Sequence, residues 1–340
     1  PERTEKTFCH YPWTTLYIEP NGEVYPCCHR RPRPVGDIYA GTLEEILLGP
    51  EAEQVRREAQ SGSLTCFENC TRAPRRRYYN SGDQPYEVEA RPKLEEVHIN
   101  ISTRCNLSCL MCGQDHKSRL TLDYKRLIQA VDWSKGPRLI IQGGEPLVVP
   151  AAFKLAAYVR RKASPLTLIT NATAFTSQWR EILLEGKNEC RISLNAASRP
   201  THEAVNRGSR WPKVLAAVRR LAAEREKRKS GLYITLRMTV LPQNAFEMPE
   251  FVRFGNAEGY ADRITFGFDK KTMPRWAHKN RKEFLGIYQA FMTEVSRSRA
   301  PCDAWRMYQL ACSLGLENKR YQFGRKGELL SLPAFDHPLS

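Results

Sequence analysis

The chain lacks any long apolar run, any signal-like start and any repeat. No segment approaches the roughly 18 uninterrupted apolar residues of a membrane-spanning helix, so no membrane partner is expected. Residues 1–6 are polar, unlike a secretory signal, and we expect a cytoplasmic protein. No internal repeat or long low-complexity segment is present, which leaves a globular chain whose 340 residues exceed the usual size of one domain.

Acidic residues are in short supply. The chain has 37 Asp and Glu against 53 Lys and Arg, for a net charge of +16. This charge can attract nucleic acid, an acidic peptide, or a phosphorylated or carboxylated substrate. The basic runs at 219–220 and 225–229 fall on a predicted helix, where solvated charge is the ordinary explanation. Because no RNA-binding motif is present, modification of nucleic acid is the least favoured function.

Cysteine usage points to metal. The chain has 11 cysteines, an odd number that cannot pair completely into disulfides, and such content in an intracellular chain indicates metal ligands. Cys105, Cys109 and Cys112 follow a predicted strand with the spacing C-x3-C-x2-C. Iron–sulfur clusters are commonly held by four thiolates, so a set of three leaves one iron for another ligand. Zinc is the alternative, but the next cysteine, Cys190, is remote in sequence.

From residue 94 onward, short apolar strands alternate with amphipathic helices. The predicted strands are 97–102, 139–142, 166–170, 191–195, 234–240 and 264–268. The predicted helices are 121–133, 151–163, 176–185, 212–229, 246–258 and one near 280–299. This alternation predicts an α/β fold with βαβ units and a parallel sheet. Six such strands are too few for a closed eight-stranded barrel.

The first ninety residues have a different rhythm. Asn21-Gly22 between two strand-like runs predicts a β-hairpin. Thr42, followed by an acidic turn, predicts the start of a helix. A polar, Arg-rich stretch at 72–92 then precedes the alternating region. We therefore predict a small N-terminal α+β domain at 1–92, a larger domain at 93–300 and a helical C-terminal extension at 301–340.

The second predicted strand ends in Gly143-Gly144-Glu145-Pro146. Glycines let the backbone approach a ligand closely, and Glu145 offers an acceptor for an ammonium group. Together with the three cysteines, this segment resembles the radical S-adenosylmethionine (SAM) superfamily. There the cysteines hold a [4Fe-4S] cluster whose open iron chelates SAM, and reductive cleavage of SAM gives a 5′-deoxyadenosyl radical that abstracts hydrogen. The resemblance implies a partial (β/α)6 TIM-like barrel in which Gly-Gly-Glu-Pro binds the amino group of SAM.

The same resemblance implies further SAM contacts. Ser193 and Asn195 resemble the family's Ser-x-Asp segment, which contacts the ribose, although Asp is commoner than Asn at the second position. Arg207 resembles the arginine that pairs with the SAM carboxylate. Thr170 and Asn171 end the third predicted strand, and we expect them to line the pocket.

A second metal site is expected near the N-terminus. Five cysteines lie there: Cys9, Cys27, Cys28, Cys66 and Cys70. With the Pro-Asn-Gly turn before Cys27, they resemble the SPASM/twitch module, which holds auxiliary [4Fe-4S] clusters and usually follows the barrel rather than preceding it. The resemblance implies one auxiliary cluster on Cys9, Cys27, Cys66 and Cys70. Cys28 is left out because adjacent residues rarely point at the same metal. A structural zinc on the same four thiolates is the alternative.

The resemblance implies a radical SAM enzyme of oxidoreductase type, with SAM and two clusters as cofactors. The leading expectation is oxidation or cross-linking of a ribosomally synthesised peptide in natural-product biosynthesis, with a separate peptide-recognition protein as a possible partner. The alternative substrate is a small molecule such as a sugar, an amino acid or an antibiotic precursor. An electron donor such as flavodoxin or ferredoxin is expected. No catalytic acid or base is assigned.

Overall fold

The computed structural model describes residues 6–28, 32–66, 77–79, 91–115, 117–317, 322–323 and 329–331. Its strands are β1 (Lys6–Phe8), β2 (Thr15–Ile18), β3 (Glu23–Tyr25), β4 (Gly36–Asp37), β5 (Arg77–Tyr79), β6 (Glu96–Asn100), β7 (Arg138–Gln142), β8 (Leu166–Thr170), β9 (Glu189–Ser193), β10 (Tyr233–Val240), β11 (Arg263–Phe268), β12 (Cys302–Asp303), β13 (Gln322–Phe323) and β14 (Leu329–Ser331). Its helices are α1 (Tyr11–Thr14), α2 (Leu43–Leu48), α3 (Pro50–Ser61), α4 (Tyr124–Ala130), α5 (Pro150–Arg161), α6 (Ser177–Leu184), α7 (Arg199–Val205), α8 (Trp211–Lys227), α9 (Met248–Glu258), α10 (Met273–Lys279), α11 (Arg281–Arg297) and α12 (Trp305–Ser313).

One large sheet organises the chain. Its strand order is β12-β11-β10-β9-β8-β7-β6-β2-β3-β4, and every neighbouring pair from β12 to β2 is parallel. The hairpin strands β3 and β4 complete one edge in antiparallel pairing. Within the described residues the two edge strands do not pair with each other, so the sheet stays open. The predicted α/β class with a central parallel sheet is confirmed.

The two faces of this sheet differ in polarity because side chains alternate along each strand. Val97 and Ile99 of β6 are fully buried in the same apolar core as Leu127 of α4 and Leu155 of α5. The opposite face carries most of the polar strand residues. We call it the inner face and define it by Tyr17, His98, Ile140, Glu189, Arg191, Ser193, Arg237, Thr239, Thr265 and Gly267.

The N-terminal part joins this sheet directly. The predicted hairpin is present as β2 and β3, and Gly22 turns the chain with φ +97°. The predicted helix start is also present, because Thr42 and Glu45 form a reciprocal capping box at α2. Strand β2 pairs in parallel with β6. The sheet therefore runs across the predicted boundary at residue 92, and the division into separate domains stays a prediction.

Some elements were not predicted from the sequence. Helices α7 and α10 span seven residues each, too short for a clear apolar period. In the segment predicted as a helical extension, α12 is present, but Cys302–Asp303 first adds β12 to the edge of the sheet. In the part of the chain that is described, no helix combines the length and apolar character needed to cross a membrane.

Candidate radical SAM site

The three clustered cysteines lie in the loop that follows β6. Cys105 and Cys109 are half-buried, and Cys112 is exposed. The backbone N–H of Leu107 donates to Cys105 Sγ at 3.4 Å, and the N–H of Cys112 donates to the Cys109 carbonyl at 3.1 Å. The loop therefore begins and ends with its own hydrogen-bonded turns. We call residues 104–114 the cysteine loop.

The loop after β7 holds both ends of the cysteine loop. The N–H of Glu145 donates to the Arg104 carbonyl at 2.8 Å, and the N–H of Gly144 donates to Gln114 Oε1 at 2.8 Å. A Cβ atom at Gly144 would lie 1.8 Å from the Arg104 carbonyl oxygen. A Cβ atom at Gly143 would lie 1.5 Å from Asn100 Oδ1. Only glycine permits this close packing, which explains the paired glycines in physical terms.

The loop after β8 provides a second attachment. Asn106 Nδ2 donates to Thr173 Oγ1 at 2.7 Å, and Asn171 Nδ2 donates to Asn106 Oδ1 at 3.0 Å. Asn106 is the residue next to Cys105, so these bonds hold the first cysteine against the end of β8. Between them, Ala172 is buried with φ +61°, an unusual backbone conformation for alanine.

The connection between β9 and α8 provides the third attachment. The N–H of Ser108 donates to the Arg207 carbonyl at 3.0 Å, and the N–H of Leu110 donates to the Val205 carbonyl at 2.9 Å. These two bonds flank Cys109. The cysteine loop is thus held by the connections that follow three successive parallel strands, at the edge where α/β barrels build their active sites.

Glu145 connects two of these strand ends. Its side chain accepts hydrogen bonds from Thr170 Oγ1 at 2.6 Å, the Asn171 N–H at 2.7 Å and the Leu147 N–H at 3.0 Å. Burial raises the pKa of its carboxyl group to about 7, against the opposing effect of these donors. A carboxylate has about four acceptor positions, so one remains for a ligand. Pro146 is buried and starts the short helical turn that follows.

Asn195 is the centre of a buried network at the end of β9. It adopts the left-handed conformation with φ +62°, which asparagine tolerates better than most residues. Its Nδ2 donates to Asn206 Oδ1 at 2.9 Å, and its Oδ1 accepts from the Thr239 N–H at 2.9 Å. Asn206 Nδ2 in turn donates to the Leu194 carbonyl at 3.0 Å. The amide of Asn195 therefore uses a donor that aspartate would lack.

The other predicted SAM contacts surround the same edge. Ser193 ends β9 and is half-buried. Arg207 is exposed beside the cysteine loop, and its carbonyl is engaged by Ser108. Thr170 and Asn171 contact Glu145. The structure brings the predicted residues to one edge of the sheet, whereas their contacts to SAM stay predictions.

The donor chemistry of the cysteine loop suits a cationic iron cluster. Burial, then the charges of Cys105 and Cys112, raises the pKa of Cys109 to about 12. Burial also raises the pKa of Cys105, to which Glu145 contributes. Since the thiolate is the metal-binding form, a cation between these sulfurs removes their mutual repulsion and favours loss of the protons. The thiol set therefore fits a cluster.

Among the described residues, no three acidic, cysteine or histidine side chains form a ready-made cage for a single metal ion.

The N-terminal cysteines occupy the other part of the chain. Cys9, Cys27, Cys28 and Cys66 are half-buried. Cys9 and Cys66, far apart in sequence, both pack against the apolar core. Cys70 lies outside the described residues. The choice of four ligands among these five cysteines stays a prediction.

Comparison with known families decides the assignment. The model of the radical SAM superfamily matches residues 99–255, which include Cys105, Cys109 and Cys112. Residues 99–255 belong to the radical SAM superfamily. The model of the SPASM iron–sulfur cluster-binding domain matches residues 9–72, which contain all five N-terminal cysteines. The two matches confirm the predicted radical SAM region, with SAM and a [4Fe-4S] cluster as its cofactors, and the predicted iron–sulfur cluster-binding module before it.

Curated relatives cover part of this radical SAM chain. Pre-heme d1 synthase of Dinoroseobacter shibae is 31% identical over 168 residues, 47% of this chain and 40% of that protein. GTP 3′,8-cyclase of Erythrobacter litoralis is 24% identical over 180 residues, 49% of this chain and 52% of that protein. AdoMet-dependent heme synthase of Methanosarcina barkeri is 33% identical over 119 residues, 33% of this chain and 34% of that protein. Depending on the relative, the chain thus spans between about a third and about half of that protein's length.

A solved structure matches over most of the chain. Streptococcus suis SuiB bound to precursor peptide SuiA is similar with a TM-score of 0.51 and 15% identity, covering 95% of this chain and 77% of that one. At this identity the similarity concerns the fold alone, and it agrees with a partial barrel.

The attachments of the cysteine loop were not predicted from the sequence. Asn106, Gln114 and Thr173 make them. Asn106 lies inside the cysteine motif and Gln114 two residues after it, so proximity to the motif was the only available signal. Thr173 offered none, because its partner is 67 residues away in sequence.

Proposed function

We propose that this radical SAM enzyme abstracts a hydrogen atom from a substrate held over the inner face of the sheet, and that the net outcome is an oxidation. The observation that carries the proposal is the attachment of one cysteine loop to the connections after three successive strands, beside the glycine pair. When bound, the cluster and SAM supply one-electron cleavage to a 5′-deoxyadenosyl radical. The protein supplies orientation and exclusion of water.

The proposed roles follow from the contacts. Cys105, Cys109 and Cys112 hold the cluster, and the hydrogen-bonded turns of their loop orient the sulfurs. Gly143 and Gly144 keep the loop after β7 against the cysteine loop, since any Cβ atom there would overlap protein atoms. This leaves the backbone of that loop next to the cluster, where the amino group of SAM would be bound.

The remaining contacts surround the rest of SAM. Glu145 has one acceptor position left, which suits the ammonium group. Thr170 and Asn171 orient the Glu145 carboxylate. Ser193 is proposed to contact the ribose, and Arg207 is proposed to pair with the SAM carboxylate. Both polar atoms of the Asn195 side chain are used within its buried network. Asn195 is therefore proposed to support Ser193 and not to contact SAM itself.

The N-terminal cysteines are proposed to bind one auxiliary cluster through Cys9, Cys27, Cys66 and Cys70. Such a cluster can accept an electron from the substrate radical, which makes the outcome an oxidation. Parallel pairing of β2 with β6 supports this role, because it attaches the N-terminal part directly to the strand that precedes the cysteine loop.

A ribosomally synthesised peptide is one candidate substrate. The SPASM match supports it, because this module is common in the peptide-modifying enzymes that the chain resembles. The open sheet also leaves an unclosed side through which a chain can enter. A separate recognition protein would then be a partner.

A small molecule is the second candidate. The curated relatives support it, since their names describe heme synthases and a GTP cyclase. The inner face supports it too, because charged side chains on β9 and β10 suit a compact polar substrate.

The test is formation of 5′-deoxyadenosine by reduced, reconstituted protein supplied with SAM. Cys109→Ala should abolish product, whereas Cys312→Ala, the control at a half-buried thiol of α12, should not. Equal product from both variants would refute the proposal. Peptide and small-molecule fractions of an extract grown in deuterated water then identify the substrate class, because the correct fraction transfers deuterium to deoxyadenosine.

A further inference from the structure

Two guanidinium groups lie close to Gly267. A Cβ atom at this position of β11 would lie 3.3 Å from Arg306 Nη1 and 4.0 Å from Arg237 Nη2. Arg237 comes from β10 and Arg306 from α12, which lies beyond the family match at 99–255. Residues distant in sequence are thus brought to one point.

This point lies on the inner face, near the carboxyl ends of the strands. Arg237 is paired in register with Ser193 on one side and with Thr265 on the other. Gly267 is paired with Thr239. Phe266 faces the other way and packs edge-on against the rings of Phe251 and Phe291. The arginine pair therefore lies beside the predicted ribose contact.

Among the described residues, the inner face near Gly267 carries more basic than acidic side chains. Arg263 lies on the same face of β11, and Asp303 of β12 is the nearby carboxylate, opposite Thr265 in register. Two other acidic groups of the adjoining elements, Glu189 and Asp269, make contacts of their own. Glu189 is paired with Arg191 at 2.8 Å and bonded by Thr235 at 3.0 Å, and Asp269 accepts from the Thr272 N–H at 2.8 Å.

We propose that Arg237 and Arg306 bind an anionic group of the substrate, a carboxylate or a phosphate. An anion placed between two guanidinium groups is attracted by both of them. Guanidinium groups suit both anions because their planar donors match carboxylate and phosphate oxygens. Both arginines also interact with other protein groups, which orients them.

Gly267 contributes to this site through its small size and not through a special backbone conformation. Its φ is not positive, so other residues can adopt its conformation. What glycine provides is the volume in which the two guanidinium groups approach, because a side chain would press against Arg306. The inference rests on the proposed function, since that function puts the substrate on the inner face.

The test is calorimetric titration of reconstituted full-length chain, at low ionic strength, with inorganic pyrophosphate and with tricarballylate. We expect one or both anions to bind. Arg237→Gln and Arg306→Gln should each raise Kd about tenfold or more, as expected for loss of a charge-assisted hydrogen bond. Gly267→Val keeps every charge and should weaken binding similarly. The control Arg228→Gln, at an exposed ion pair with Glu181, should leave Kd unchanged.

The outcomes are distinct. Binding of pyrophosphate alone identifies a phosphate site, and binding of tricarballylate alone a carboxylate site. Absence of binding by both anions, or equal weakening in Arg228→Gln and Arg306→Gln, overturns the proposal. Weaker binding of SAM but not of the anions in Arg237→Gln would overturn the assignment of Arg237 to the substrate. A chain that binds the anion but forms no deoxyadenosine contradicts the proposed function and leaves the anion site standing.

Discussion

The backbone N–H of Glu145 donates a 2.8 Å hydrogen bond to the carbonyl of Arg104, the residue immediately before Cys105. This bond fixes the end of β7 to the start of the cysteine loop. Since the Glu145 side chain also accepts from Thr170 and Asn171, one residue joins the cysteine loop to two strand ends. The Gly-Gly-Glu segment is therefore a structural support for the cysteines as well as a predicted SAM contact.

Gly144→Ala should disrupt this support. The position has φ +52°, and the new Cβ atom would overlap the Arg104 carbonyl, which is backbone and cannot turn aside. We expect the free energy of unfolding to fall by well over the ~1–2 kcal/mol that a left-handed backbone conformation alone costs. We also expect the variant to lose bound iron. Urea unfolding and iron assay measure both.

Gly136→Ala is the matched control. Gly136 also has positive φ, +74°, but nothing lies within 4 Å of its Cβ position. The free energy of unfolding of this variant should fall only by the cost of the left-handed backbone conformation, and the variant should keep its iron. Similar effects of both substitutions would contradict the packing explanation.

Asn106→Ala should shorten the lifetime of the cluster. It removes the bonds to Thr173 and Asn171 that hold the first cysteine to β8. We expect iron to be lost to a chelator several-fold faster, since each bond contributes about 1 kcal/mol. Asn256→Ala is the control, because Asn256 makes comparable side-chain bonds to Val252 and Ser298. Equal rates of iron loss in the two variants would count against the role of Asn106.

The stability of the metal-free protein should depend on the ionisation of Glu145. Burial raises its pKa from the ordinary 4.5 to about 7, so between these values the folded state holds a proton that the unfolded chain has released. The contribution of this group is therefore greatest below about pH 4.5 and falls by up to ~3 kcal/mol as pH rises through about 7. Glu145→Gln should remove this fall. Urea unfolding at about pH 5 and about pH 7.5 tests it, and parallel pH profiles for both proteins would contradict it.

Asn195→Asp should destabilise the protein, although aspartate is the commoner residue in the family. Asn195 Nδ2 donates to Asn206 Oδ1, and Asn206 cannot simply turn over because its own Nδ2 is bonded to the Leu194 carbonyl. A carboxylate there would face an oxygen, at a cost of about 1–3 kcal/mol for the lost donor. The free energy of unfolding measures the effect. Unchanged or increased stability would show that the amide donor is dispensable.

Local sequence patterns predicted most strands and helices, whereas the pairing of strands distant in sequence was not predicted. The strands from β6 to β11 were found because runs such as Leu166–Thr170 are apolar and bounded by turns. The pairing of β2 with β6 joins residues about 80 positions apart, and no local pattern encodes it. Strand β12 has two residues, fewer than any periodicity requires.

The site shows the same division. Cysteine spacing and Gly-Gly-Glu-Pro identified the family, because those residue types are set by local chemistry. The approach of Arg306 to Gly267 depends on where α12 packs, and the network of Asn195 depends on the end of β10. Both follow from tertiary structure, which one sequence does not reveal.

The cysteine loop is predicted to hold one cluster and the N-terminal cysteines another. The most direct measurement is iron and sulfide content of anaerobically reconstituted protein beside a Cys105/Cys109/Cys112→Ala variant. We predict about eight irons falling to about four, since each cubane holds four. About four irons falling to none would show that the N-terminal cysteines hold no iron–sulfur cluster. Absence of iron from both proteins would contradict both cluster assignments.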